Sequence, residues 1–189
     1  MSDPLPMRFS FRHVSSSAIL MLLLMGCDSV GSETVTLVAD NLEFEFEFNS
    51  NDVATGALVD LRSRDGMDVD LGTFLASQGF SKADILAAQV EAVRLEIAFP
   101  ISARATFLES AILKLEANGL SATEIAQQST FPNERGADFE VVAGRDIGDL
   151  VNRSGGLQAI LQVNARELAP NTTYELGVSL RMRIELDEG

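Results

Sequence analysis

Tyr174-Glu175-Leu176-Gly177-Val178-Ser179-Leu180-Arg181-Met182-Arg183-Ile184-Glu185-Leu186 alternates apolar and polar residues without a break. Tyr174, Leu176, Val178, Leu180, Met182, Ile184 and Leu186 fall on one side, and Glu175, Gly177, Ser179, Arg181, Arg183 and Glu185 on the other. A period of two sends successive side chains to opposite faces of a strand. One face therefore belongs in a core and the other in water, as in an antiparallel sheet covered on one side.

The same period recurs at 42–48, where Leu42, Phe44, Phe46 and Phe48 interleave with Glu43, Glu45 and Glu47. It returns at 93–99, closed by Pro100, and more weakly at 111–117, ending at Asn118-Gly119. Segments 57–61, 139–142 and 159–165 are further strand candidates. About seven strands with turn residues between most of them predict a mostly-β fold, an antiparallel β-sandwich or, as the alternative, a barrel. Two or three short helices are expected beside it. One covers 70–78, with Leu71, Phe74 and Leu75 on one side. Ser81 and Asp84 resemble a capping box opening a helix over 83–89. Asp146 is placed to cap 147–152, while Ser121 and Glu124 fit either another cap or an edge strand over 124–129.

The segment Leu168-Ala169-Pro170-Asn171-Thr172-Thr173-Tyr174, leading into the alternating strand, resembles the E–F corner of immunoglobulin-like and fibronectin type III domains. The match covers about twenty residues. It implies that Pro170 ends one strand and that Tyr174 packs at the corner with its hydroxyl returned to the backbone. The chain departs from that family between Gly66 and Gln89, where helical insertions are expected, and no Trp marks the core.

The charge balance is strongly acidic, with 28 Asp+Glu against 14 Lys+Arg and a net charge of −14. Such a field repels phosphate backbones, and no basic stripe is present to neutralise them, so a nucleic-acid partner is not expected. Lys82 and Lys114 are the only lysines. An acid excess with few lysines also fits a salt-adapted proteome, which weakens any functional reading of the charge.

The start of the chain reads as an address. Arg8 and Arg12 precede an apolar run over 18–25, and Gly26 precedes the one cysteine, Cys27. The run is too short to span a bilayer, which needs about 20 residues, but its layout is that of a secretory signal. Leu24-Met25-Gly26-Cys27 resembles the lipobox of bacterial lipoproteins. The resemblance implies a diacylglycerol thioether on Cys27, cleavage before it, and acylation of the new amino end. It gives a signal peptide over 1–26, a lipidated Cys27 with a short tether over 27–34, and one sandwich domain over 35–189. A domain of that size buries roughly 70% of its unfolded surface, enough for a core without disulfides.

Downstream of Cys27 there is no His and no second thiol, since the single His is His13. A Ser-His-Asp triad, a Cys-His pair and the usual zinc sites are thereby excluded from the mature part. No phosphate-binding Gly-rich loop is found, and no cofactor or catalytic residue is assigned. Two chemistries remain. Paired carboxylates serve glycoside hydrolysis, although Glu43, Glu45 and Glu47 on one strand face read more simply as a solvated surface. Asp65, Asp68 and Asp70 offer oxygens for calcium, but their spacing is not that of an EF-hand, and a turn with a helix cap explains them as well. The expected protein is a non-enzymatic envelope lipoprotein, held by its lipid anchor on a bacterial membrane, with a binding, adhesion or assembly role toward an envelope protein or polysaccharide. The alternative is a carboxylate-only hydrolase of envelope polysaccharide. A carrier of an apolar ligand between the sheets is a third, weaker reading.

Overall fold

In the computed structural model, residues 34–64, 70–153 and 156–188 are described. Among them lie nine strands: β1 (Thr34–Asn49), β2 (Leu58–Arg62), β3 (Ile85–Phe99), β4 (Leu108–Ala117), β5 (Thr123–Gln128), β6 (Gly136–Asp138), β7 (Glu140–Val141), β8 (Leu157–Ala165) and β9 (Thr173–Asp187). Two short helices accompany them, α1 (Asp70–Ser77) and α2 (Gly148–Val151). The strands form two antiparallel sheets, ordered β1-β9-β3-β6 and β2-β8-β4-β5-β7. This is the mostly-β sandwich that the alternating segments predict.

The strand quoted first lies inside the first sheet, paired along its length with β1 on one side and β3 on the other. Its even-numbered residues Tyr174 to Leu186 are all buried. Rows of side chains run across the three strands, Phe46–Leu176–Ile97 and Phe44–Val178–Leu95, each facing the core. The second sheet answers with Leu61–Leu161–Leu113–Ala126. Both sets belong to one apolar cluster between the sheets. Each Phe or Leu taken out of water there contributes on the order of 1.5–3 kcal/mol.

Two strands run further than their alternation predicts, and β-bulges are the cause. In β1 the buried residues are Leu37 and Ala39, then Leu42, Phe44, Phe46 and Phe48. The register shifts between Ala39 and Leu42, so the inward set changes from odd to even numbers. In β3 the buried set is Ile85, Ala88, Val90, Val93, Leu95 and Ile97, with shifts between Ile85 and Ala87 and between Val90 and Ala92. An extra residue in one strand unpairs locally and resets the alternation.

The helix expected over 83–89 is therefore corrected. Its capping box exists: the Asp84 carboxylate accepts hydrogen bonds from Ser81 N (2.6 Å) and Ser81 Oγ (2.9 Å). It closes only a single 3-10 turn, Lys82–Asp84, and Ile85 already opens β3. The three-residue step from Ile85 to Ala88, made by a bulge, imitates the i, i+3 spacing of a helix. Pairing with β9 supplies backbone partners that a short helix would leave at its ends.

The other elements lie close to their expected places. Of the two readings at 124–129 a strand is formed, β5 (Thr123–Gln128), but it is no edge strand, because β7 pairs on its far side from β4. The segment at 139–142 proves to be a crossing between the sheets. Phe139 is buried with its N–H on the Val93 carbonyl (2.9 Å), β6 belongs to the first sheet, and β7 belongs to the second. Asp146 holds α2 against β3, its Oδ1 accepting from Gly148 N (2.9 Å) and Ala88 N (3.0 Å). At the corner before β9, Tyr174 Oη accepts from the Ala169 N–H (3.0 Å). Its ring stacks on Phe48 with centroids 5.1 Å apart and tilts against Phe107 at 4.9 Å.

Two substitutions separate packing from hydrogen bonding. Phe46→Ala should lower the unfolding free energy by about 3–5 kcal/mol, through lost transfer energy plus a cavity. Tyr174→Phe keeps the ring and removes one acceptor, and should cost about 1 kcal/mol. Urea unfolding of both variants gives the two values, and a neutral Tyr174→Phe would contradict the corner bond.

Candidate interaction surface

The sequence candidates divide into those outside and those inside the described residues. Cys27, the leader over 1–26, most of the 27–34 tether, Asp65 and Asp68 lie outside them. Asp70 is the first residue of α1. Among the described residues no group of three or more His, Cys, Asp or Glu side chains is arranged to hold a metal ion. No helix among them is long and apolar enough to cross a membrane.

Glu43, Glu45 and Glu47 stand on the outer face of the first sheet, as their alternation implies. Glu47 is ion-paired to Arg64, whose backbone N–H also donates to the Glu45 carbonyl (2.9 Å). Across that face Arg181 lies 3.3 Å from Asp40 and 3.5 Å from Glu91, and Arg94 lies 2.8 Å from Asp138. The Asp138 hydrogen bond, then its charge, raises the Arg94 guanidinium above its ordinary value. These pairs are exposed, and such pairs contribute about 0–1 kcal/mol each. The face is a solvated, largely acidic sheet surface.

An open hollow of about 520 Å³ lies at the β4–β5 turn, lined by Glu116, Asn118, Leu120, Gly156 and Gln158 among others. Glu116 is the one carboxylate in its lining, and Arg62 holds it while also donating to Gln158 Oε1 (3.1 Å). Carboxylate hydrolysis needs a second acid across the substrate, and this lining does not supply one.

The strand registers define two ends of the sandwich. Thr34 pairs with Asp187, and Ile85 with Leu186, at one pole. Asn49 pairs with Thr173, and Phe99 with Glu175, at the other. The connections 50–57, 100–107 and 166–172, each joining one sheet to the other, all gather at this second pole. Backbone hydrogen bonds lace them together: Ser50 N to Thr172 O (2.9 Å), Gly56 N to Ala165 O (2.9 Å) and Arg166 N to Phe107 O (2.8 Å). Ala105 N reaches the Glu134 carbonyl (2.7 Å), which adds the segment 129–135. Side chains join in, with Thr172 N on Ser50 Oγ (3.0 Å) and Asn51 Nδ2 on Asn171 Oδ1 (3.0 Å). Loops bound this way form a fixed platform, and fixed loops on a rigid sandwich are a common seat of recognition. In the sequence this pole is marked by the Pro100 stop and the Tyr174 corner. The available signal was Phe99-Pro100-Ile101, apolar residues in a turn where polar ones are usual.

No protein-family model matches the chain, and no curated protein matches it. Among solved structures it is similar to a chain of Desmodium yellow mottle tymovirus, with 11% identity and a TM-score of 0.34 over 86% of this chain and 94% of that one. Chains from the empty head of turnip yellow mosaic virus and from turnip yellow mosaic virus itself overlap with TM-scores of 0.31 and 0.26. These are 9% and 10% identical, each over 92% of this chain and 91% of the other. Overlaps this loose do not assign the chain to their family.

The platform depends on a left-handed residue at its turn, Asn171, with φ 52°. A β-branched side chain is poorly accommodated in that region, whereas Gly enters it freely. Asn171→Val should cost about 1–2 kcal/mol and Asn171→Gly a few tenths. Equal melting temperatures for the two variants would contradict the turn geometry.

Proposed function

We propose that this chain is a bacterial cell-envelope lipoprotein with a non-enzymatic role in binding, adhesion or assembly. In this reading the leader over 1–26 is removed, Cys27 carries the acyl chains, and the sandwich meets an envelope protein or polysaccharide. The observation that carries the reading is the succession Leu24-Met25-Gly26-Cys27 directly after an apolar run, with no other cysteine in the chain. The topology is consistent with it. Residues 28–33 separate Cys27 from β1, and β1 starts at the pole opposite the laced loops. An anchor at that pole leaves the platform free to meet a second surface. Two or more acyl chains give a stable anchor where one gives a marginal one.

The Tyr174 corner bond also supports the finer architectural reading, a likeness to immunoglobulin and fibronectin type III sandwiches. The reading as a carrier of an apolar ligand is not favoured, because Phe44 and Phe46 are packed in the apolar cluster between the sheets.

Mass spectrometry of the protein from membrane and soluble fractions tests the anchor. The expected result is a membrane-bound chain that begins at an acylated Cys27, and a Cys27→Ala variant that keeps its leader and gains no lipid. A soluble chain with an intact leader and a bare thiol would overturn it.

A further inference from the structure

The turn from β3 into β4 pushes large apolar side chains into water at the loop pole. Phe99 is 47% exposed and Ile101 is 71% exposed, on either side of Pro100. Leu58, 57% exposed, begins β2 at the same end. The tip is held in shape. Ala103 N donates to Pro100 O (2.9 Å), and Arg104 Nη1 donates to the carbonyls of Ile101 (3.3 Å), Ser102 (3.3 Å) and Ala103 (3.0 Å). Arg135 braces the end of β3 from the side, through the carbonyls of Ile97 and Ala98.

Those two arginines donate to backbone carbonyls rather than to carboxylates. With Arg166 they balance Asp52, Glu134 and Glu167, the acids of the four loop segments at this pole. The loops are thus neutral in sum, in a chain whose net charge is −14. The acidic surface resumes one strand over, where Glu175 stands opposite Phe99 and Glu47 opposite Glu175. An acidic protein approaches another surface most easily through its neutral end.

We propose that this pole docks on a lipid bilayer of zwitterionic headgroups, with Phe99 and Ile101 as the inserted wedge. A stable protein pair buries roughly 800 Å² on each partner. Two exposed apolar side chains, at a pole that also carries the polar Asn49, Asn51, Asn171 and Thr172, fall well short of that. A bilayer demands no complementary shape. It takes apolar side chains into the boundary between headgroups and acyl chains and leaves arginines at the headgroup level. Glu47 and Glu175 beside the tip disfavour an anionic surface. The proposal does not depend on Cys27, because the tip lies the length of β3, about 50 Å, from the pole where β1 begins.

The chain contains no Trp, so Phe99→Trp in the full chain places a single fluorophore on the wedge. Leu86→Trp, at the exposed Leu86 of the opposite pole, reports contact made through the leader or a lipid on Cys27. The expected result with phosphatidylcholine vesicles carrying brominated acyl chains is a blue shift and quenching of the Phe99→Trp emission. Adding Ile101→Ser should weaken the partition about tenfold, and phosphatidylglycerol vesicles should bind less well. Ile101→Trp is a second single-Trp reporter, for use if Phe99→Trp disturbs the fold. Emission unchanged by vesicles in both reporters would overturn the proposal, whatever Leu86→Trp shows. So would quenching that survives Ile101→Ser, or a blue shift that grows with protein concentration without lipid, which would mean contact with a second copy.

Discussion

The structure depends on one strand being apolar on one side and polar on the other over its whole length. β9 is bonded to β1 along one edge and to β3 along the other. Its inward residues tie both neighbours to the core through rows such as Phe46–Leu176–Ile97. Turning β9 by one residue would put its seven inward apolar side chains into water and bring the outward residues between them into the core, so its register admits no slip. The bulges in β1 and β3 are adjustments made against this fixed strand. Each restores the inward set after an extra residue, and each leaves β9 itself regular.

This explains which parts of the fold were legible in the sequence. β9 has no bulge inside its alternating run and could be read from end to end. In β1 only the portion after Ala39 shows a sustained period, because the bulge changes the parity of the buried residues before it. In β3 the same device produced the step from Ile85 to Ala88 that resembles a helix, and a genuine capping contact at Ser81 and Asp84 reinforced the resemblance. Local signals there favour a helix, and pairing with β9 overrides them. The short β6 and β7 carry too few residues for a period, and only the crossing at Phe139 explains why a buried aromatic stands between them. The corner at Tyr174 was legible through the resemblance of 168–174 to an immunoglobulin-like E–F corner, which implies a bond between the tyrosine hydroxyl and the backbone, and that bond is present.

The candidate surface was less legible, for a physical reason. Its platform is made by four segments distant in sequence and joined by backbone hydrogen bonds, which leave no mark on residue type. Only Asn171 and the Phe99-Pro100-Ile101 turn carry a local signal. Charge distributes in the same way: the net value of −14 is plain from composition, yet the neutrality of the loop pole follows only once the topology brings three arginines and three acids together. Cys27 and the loops therefore pose separate questions. The first concerns the address of the protein, and the second what its folded part meets there.

Amide hydrogen exchange on the intact chain tests the dependence on β9 most directly. If both neighbours hang on this strand, the backbone amides of 174–186 should be among the slowest to exchange, opening only with global unfolding. Those of the short edge strands β2 and β7 should exchange faster. Amides of 174–186 that exchange as readily as the edge strands, in a chain that is still folded, would contradict the account.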